Sequence, residues 1–493
     1  MKRAGELELA LGIRPEGVTL QHWLCEALRA AIMSGAIPPG GRLPSTRDFA
    51  RRQGVSRGTV QAVYEQLIAE GYLIGATGSG TTASPTLPIA LTNLPADNYR
   101  EDRPPKLSRQ GMLLCHSPFS TRKDEAGARP FSPYQPDLRA FPRAIWHRLS
   151  NRQSRALLPD EMGWVDPAGY MPLRRAIAEH LRYSQRISCG AEQVMILASA
   201  QQALDLCARL LLDPGERVLV EDPGYPGAAR VLGLTGAEVC GVPVDEHGLR
   251  IDDLPPARMA YVTAAHQSPL GGTLPVDRRL ALLAWAHAHD AVIIEDDYDG
   301  EYRFDGPPLP AMKSLQHSDR VIYMGTFSKL LFPALRLAYL VVPDWLIDPF
   351  VSAISLTCRH MPVFQQGVLA SFIVEGHFAR HLRQMRLLYG ERAACFQQAC
   401  RLQLSGLLDL IPISTGLDAT GLLPAGWDDR AVAAALAEKG IQSRPISFYR
   451  LTQPTPPGLV MGFSAFDSDS IRRGVAEMAP VLAACVAIHR DGV

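Results

Sequence analysis

The chain has 493 residues, 47% hydrophobic and 20% charged, a globular composition too long for one ordinary core, so two or more domains are expected. Fifty basic residues balance fifty acidic ones, which argues against wholesale coating by nucleic acid and leaves room for one small basic DNA-reading module. The nine cysteines include no Cys-x-x-Cys pair, which speaks against a zinc knuckle or redox motif, and no run of about 18 apolar residues offers a membrane span.

The opening "MKRAGELELALGIRPEG" has no apolar run of signal-peptide length. With scattered, unpaired cysteines this fits a reducing cytoplasm, and no metal site is expected. Three zones follow. Residues 17–84 read as helices ending in a Gly/Thr-rich hairpin, residues 85–128 as a Pro-rich polar linker, and residues 129–493 as alternating helices and short apolar strands.

In the first zone, Leu20 to Ser34 has apolar residues at helical spacing, with Gly35 as its stop. Ser45, with Asp48 three residues on, starts a short helix that ends near Gly54. Ser56 caps a third helix that runs to about Glu70, and "YLIGATGSGTT" reads as two strands around a glycine turn. Helix, short helix, tight turn, longer helix and hairpin is the order of a winged helix-turn-helix. Val60, Val63, Tyr64 and Leu67 form the buried stripe of the third helix, while Ser56, Arg57, Thr59 and Gln61 bring hydrogen-bonding side chains to its first turn. Arg42 and Arg47 are further contact candidates, and Gly78 to Thr81 form the wing. The bland alternative is a small helical interaction domain whose arginines are a solvated face.

"GAIPPGGRLPSTRDFARRQGVSRGTVQAVYEQLIAEGYL…GSGT" closely resembles the GntR family of bacterial winged-helix repressors. That resemblance implies DNA contacts at Arg47, Ser56, Arg57, Thr59, Gln61 and Gly78; Gly58 stands where a side chain is common.

In the third zone the strands "QVMILAS", "ERVLVED", "MAYVTAA", "AVIIEDD", "RVIYMGT" and "LRLAYLVVP" are apolar throughout, as strands buried on both faces of a mostly parallel sheet are. Lys329 follows one of them. A lysine there either snorkels outward or serves as an amine nucleophile whose pKa is lowered by desolvation. Its company decides. Asp296 and Tyr298 lie just beyond a buried strand, where α/β ligand crevices form. Ala200 and Gln201 open a helix after a strand, so their amides suit a phosphate. Tyr225 sits in the tight "EDPGYPGA" loop, suited to stacking, and Thr326 and Arg336 flank the lysine to complete an anion cup. Together these supply what pyridoxal 5'-phosphate (PLP) requires.

Residues 129–493 resemble a fold-type I aminotransferase domain, an α/β fold, also through "FSPYQPDLRAFPRAIWHRL" and "WVDPAGYMPLRRAIAEHLRYSQRISC". Joined to a GntR-like head, they resemble the MocR subfamily of transcriptional regulators. The resemblance implies that Lys329 forms the Schiff base with PLP, Asp296 faces the pyridine nitrogen and Tyr298 the phenolate oxygen. Tyr225 stacks, and Thr326 and Arg336 bind phosphate.

Two departures stand out. "HQSPLGG" places Ser268 where aminotransferases carry an asparagine, leaving His266 or Gln267 to share that work. "GLVMGFSAF" places Val460 where an arginine usually clamps the substrate carboxylate, with Arg444 or Arg450 as substitutes. The expected protein is therefore a PLP-dependent regulator with little or no turnover. It binds operator DNA as a domain-swapped homodimer and senses PLP or an amine or amino acid. A working aminotransferase carrying a DNA-binding head is the alternative.

Overall fold

The computed structural model describes residues 14–76, 80–86, 106–119, 129–304, 306, 309–315 and 318–491. The chain divides into two compact units, Met1–Lys106 and Leu107–Val493.

In the first unit, α1 (Leu20–Met33) and α2 (Thr46–Gln53) precede α3 (Arg57–Ala69) and a hairpin of β1 (Leu73–Ala76) and β2 (Gly80–Ala83). Each start has a side-chain cap. Thr19 accepts from the His22 amide, Ser45 from that of Asp48 and Ser56 from that of Thr59, which satisfies amides the helix leaves free. Gly54 ends α2 in the left-handed region at φ +66°, where a Cβ is unfavourable. Leu24, Leu28, Phe49, Val60, Val63 and Leu67 are buried together as the core of this unit. Gly78 lies outside the described residues.

Inside the segment read as a linker, α4 (Arg109–Leu114) is N-capped by Ser108, and residues 107–119 belong to the second unit. Six residues are too few for hydrophobic periodicity to show, so composition alone hid this helix.

The second unit is built on an eight-stranded sheet in the order β3-β10-β9-β8-β7-β4-β5-β6. The strands are β3 (Val194–Leu197), β4 (Arg217–Asp222), β5 (Glu238–Asp245), β6 (Gly248–Leu249), β7 (Met259–Val262), β8 (Val292–Asp297), β9 (Val321–Thr326) and β10 (Ala338–Val341). The central pairs β5/β4, β4/β7, β7/β8 and β8/β9 are parallel. Strand β10 lies antiparallel to both β9 and β3. Side chains alternate across the sheet. Val218, Val220, Ile294 and Met324 pack with apolar residues of the helices Ala200–Leu211 and Ile347–Cys358, while Leu219, Ala260 and Ile293 pack with those of Val276–Ala288. Both faces are covered, which is why these strands read as continuous apolar runs.

A second, antiparallel sheet closes the C-terminal part: β11 (Asp409–Leu410), β12 (Asp418–Leu422), β13 (Arg444–Pro445) and β14 (Gly458–Gly462), in the order β11-β12-β14-β13. Its pieces are two to five residues long, and two of them contain glycine.

Among the described residues, no helix is long and apolar enough to cross a membrane, and no group of three or more His, Cys, Asp and Glu is set to hold a metal.

Candidate functional site

The parallel strands β4, β7, β8 and β9 end on one side of the sheet, and their last residues and the segments that follow carry Tyr225, Thr263, Asp296 to Tyr298, and Thr326 to Lys329. These ends surround a cavity of about 370 Å3, a size typical of small-ligand and cofactor sites. Lys329, Asp296, Tyr298, Tyr225, Arg336, Thr326, Ala200 and Gln201 all line it. So do Tyr134, Tyr261, Ser268, Arg444 and Tyr449.

Lys329 donates from Nζ to the Tyr134 carbonyl at 2.7 Å, and its ammonium lies 5.0 Å from the centre of the Tyr134 ring. Burial pushes this amine down to about 8, although Asp418 and Asp299 pull it up. Near pH 7 about a tenth of the amine is then neutral and nucleophilic, far more than an ordinary lysine offers. Asp418, on β12, accepts the Tyr134 amide at 2.6 Å and so holds the backbone that receives the lysine.

Asp296 is buried at the end of β8. Its Oδ2 accepts from the Tyr261 hydroxyl at 2.6 Å, while its Oδ1 has no hydrogen-bond partner among the described residues. Burial raises its pKa to about 7, partly offset by the Tyr261 hydrogen bond. An unpartnered buried carboxylate oxygen is costly unless a donor arrives, and the protonated pyridine nitrogen of PLP is such a donor. The residues present thus fit PLP on an observation independent of motif.

On the phosphate side, the helix Ala200–Leu211 presents its N-terminus to the cavity, with Ser199 as the cap that accepts the Gln202 amide. The first free amides of a helix of this length attract an anion. Thr326 caps the short turn Phe327–Leu330 through the Ser328 amide, and Arg336 adds a guanidinium from a backbone held at φ +54°. No carboxylate pairs with Arg336 among the described residues.

Tyr225 receives a hydrogen bond from Gln201 Nε2 at 3.0 Å, and its ring lies 6.2 Å from that of Phe119. Phe119, within the segment read as a linker, is thereby part of the cavity wall. Tyr298 stacks on His266, its hydroxyl 3.2 Å from Nδ1, and the same nitrogen is 2.8 Å from Asp299 Oδ1. Burial pulls the His266 pKa down, but Asp299 outweighs this and the net direction is up. Of the two residues offered in place of the missing asparagine, His266 touches Tyr298. Neither lines the cavity; the Gln267 amide binds the Pro223 and Ser268 carbonyls and braces two loops.

Val460 is buried in an apolar cluster with Ile446 and Tyr449, so the side chain at that position makes no ionic contact. Arg444 lines the cavity; Arg450 is exposed and does not.

In the first unit, Arg47, Ser56, Arg57 and Gln61 are exposed and Thr59 is half-buried. Ser56 spends its hydroxyl on the cap and on Thr59 Oγ1 at 2.8 Å, and Gln61 is tied to Glu65 at 3.0 Å. Arg47 and Arg57 pair with no carboxylate among the described residues, which leaves them the most available cations of this surface. Arg42 packs against Gly80, whose absent Cβ would stand 3.1 Å from its guanidinium.

Sequence reasoning missed Tyr134, Tyr261, Asp418, Tyr449 and Phe119 as members of the site. Tyr261 carried a usable signal: a hydroxyl inside an otherwise apolar strand needs a buried partner. The others come from loops or short strands distant in sequence.

Comparison with known proteins agrees with this division. Residues 21–82 match the model of bacterial regulatory proteins of the gntR family, and residues 146–472 match that of aminotransferase class I and II. The chain is 39% identical over 464 residues to the probable rhizopine catabolism regulatory protein MocR of Rhizobium meliloti, covering 94% of this chain and 93% of that one. It is 34% identical over 479 residues to the HTH-type pyridoxine biosynthesis transcriptional regulator PdxR of Corynebacterium glutamicum, covering 96% and 98%. The kynurenine aminotransferase of Pyrococcus horikoshii superposes with a TM-score of 0.68 at 25% identity, covering 76% of this chain and 99% of that one.

Proposed function

Because the chain belongs to the MocR-type regulators, in which a GntR-family DNA-binding head is joined to an aminotransferase class I and II domain, we propose that it is a transcriptional regulator whose large unit takes up PLP at Lys329 and whose head reads operator DNA accordingly. The observation that carries this reading is the meeting of these groups in one cavity. The lysine amine, the orphan Asp296 oxygen and the Arg336 side chain meet there beside a helix N-terminus. When bound, PLP supplies an electrophilic carbonyl carbon and an electron-withdrawing ring. The protein's part is to hold it. Asp296 keeps a proton on the ring nitrogen, Tyr298, backed by His266, faces the ring oxygen, and Thr326, Arg336 and the amides of Ala200 and Gln201 take the phosphate.

The effector is PLP itself or an amine or amino acid that reaches the cofactor. One relative is named for pyridoxine biosynthesis, which supports the first possibility. A ligand can bias the head only through a different affinity for two states of the protein. A homodimer in which each head works with the partner's large domain fits two operator half-sites. The site is cytoplasmic in this account, because DNA is the target. Val460, in place of a carboxylate clamp, supports weak or absent turnover.

The test uses the full chain and a duplex enriched by it from a random pool. DNA affinity is measured with and without PLP, and then with amines. A shift of about fivefold or more supports a regulator gated at this site, corresponding to about 1 kcal/mol of coupling. Identical affinities in every state reject it. Catalytic conversion of an amino donor and a keto acid would favour the aminotransferase alternative.

A further inference from the structure

Asp299 has 1% of its side chain exposed, yet the fold makes little local use of it. An aspartate at the start of a helical turn ordinarily caps it. Here the turn Gly300–Tyr302 is served by its neighbour: Asp297 Oδ1 accepts the Gly300 amide at 2.8 Å, and the Asp299 side chain caps nothing. Asp299 Oδ2 has no hydrogen-bond partner among the described residues, and Oδ1 meets Nδ1 of His266 at 2.8 Å. A carboxylate withdrawn from water for one contact is costly, and neither turn nor core accounts for it.

The contact sets the direction of a second hydrogen bond. A carboxylate only accepts, so the hydrogen between the pair sits on Nδ1. The Tyr298 hydroxyl lies 3.2 Å from the same nitrogen. A nitrogen that carries hydrogen has no lone pair to offer, so Tyr298 can share the Nδ1–H but cannot donate to it. Burial holds this phenol well above its ordinary range, and its hydrogen stays in place. That hydrogen needs another acceptor, and Tyr298 lines the cavity that Lys329 enters. The arrangement is held still. The His266 and Tyr298 rings stack at 5.6 Å and 24°. Gly416, at φ +86°, lies so close over the pair that a Cβ there would clash with the imidazole and with Asp299 Oδ2. Asp418 and Asp297 add to the negative field around the imidazole.

We propose that Asp299 and His266 are a positioning pair that turns the Tyr298 hydroxyl hydrogen into the cavity, where it serves the ring oxygen of PLP. This rests on the cofactor reading above. A donor at the ring oxygen stabilises negative charge there, and so weakens the proton held between that oxygen and the nitrogen that Lys329 contributes. The pair thereby sets the pH at which the visible band of the loaded chain changes, although neither residue lines the cavity.

The experiment is a pH titration of the visible band of the PLP-loaded full chain, with thermal unfolding recorded beside it. Asp299→Leu frees Nδ1 to accept, and His266→Leu uncovers the carboxylate. Each change draws the Tyr298 hydrogen away from the cavity, and each is expected to raise the midpoint by about one pH unit, a tenfold change. The double variant removes both competitors and should return toward the wild-type midpoint, whereas purely structural damage would accumulate in it. If one single variant does not fold, the other decides through the same shift. The proposal is overturned by a midpoint that is the same in wild type and single variants, by a band that titrates in none of them, or by a double variant shifted further than either single. A wild type that acquires no band with PLP removes the cofactor reading, and this one with it.

Discussion

The exposed first turn of α3 and the floor of the cavity place cations by opposite rules. On α3 the side chains proposed to meet DNA are those the core does not use. Val60, Val63 and Leu67 face inward, and Arg57 and Gln61 stay in water, where each contributes little alone and is screened by salt. In the cavity Lys329 and Asp296 are withdrawn from water, and burial itself changes them, pushing the amine down to about 8 and the carboxylate up to about 7. The first site gains by adding weak contacts. The second depends on a few groups, each costly to leave unpaired.

Single substitutions should therefore act very differently in the two places. Asp296→Asn leaves the ring nitrogen of PLP without its anion, at an expected cost of about 3 kcal/mol or more, over a hundredfold in cofactor affinity by fluorescence titration. An unchanged affinity would remove the carboxylate from the account.

A second contrast comes from pH. Below about 8 the Lys329 amine is mostly protonated, and only the neutral form attacks a carbonyl. The rate of cofactor capture should rise about tenfold between pH 7 and 9 and then level off. A rate still climbing tenfold per unit above pH 9 would mean an ordinary, solvated lysine.

The head should respond more mildly. Arg57→Ala is expected to weaken DNA binding about tenfold and to lower the salt slope by about one, with the cofactor band unchanged. A loss confined to one base position, with the salt slope unaltered, would instead assign Arg57 to base reading. The smallest effect is expected from Phe119→Ala. Loss of its ring contact with Tyr225 should weaken cofactor binding only a few-fold, on the order of 1 kcal/mol.

The same contrast governs what could be read from the sequence. The head was legible almost residue by residue, because caps and apolar spacing are local. Ser45, Gly54 and Ser56 stand at the ends the pattern gives them. The buried strands were legible too, since both faces are covered. Strand β5 was not: "EVCGVPVD" is half-buried near one edge of the sheet and is interrupted by glycine and proline. Neither was the small C-terminal sheet, whose two- to five-residue strands carry no period. Charged groups at strand ends, such as Lys329 and Asp296, announced themselves. Tyr134 did not. It enters the site because its backbone, at φ +62° and held by Asp418, turns a carbonyl toward the lysine, and nothing local encodes that. Likewise, only strand register separates Arg444, opposite Val460, from Arg450, which is exposed.

The most direct measurement is the visible absorption spectrum of the purified full chain with added PLP, before and after borohydride, beside Lys329→Ala. The account predicts a band in the wild type that borohydride bleaches, with the reduced cofactor fixed on the peptide that contains Lys329, and no such adduct in the variant. A wild type without the band, or a variant that keeps a borohydride-sensitive one, would contradict it.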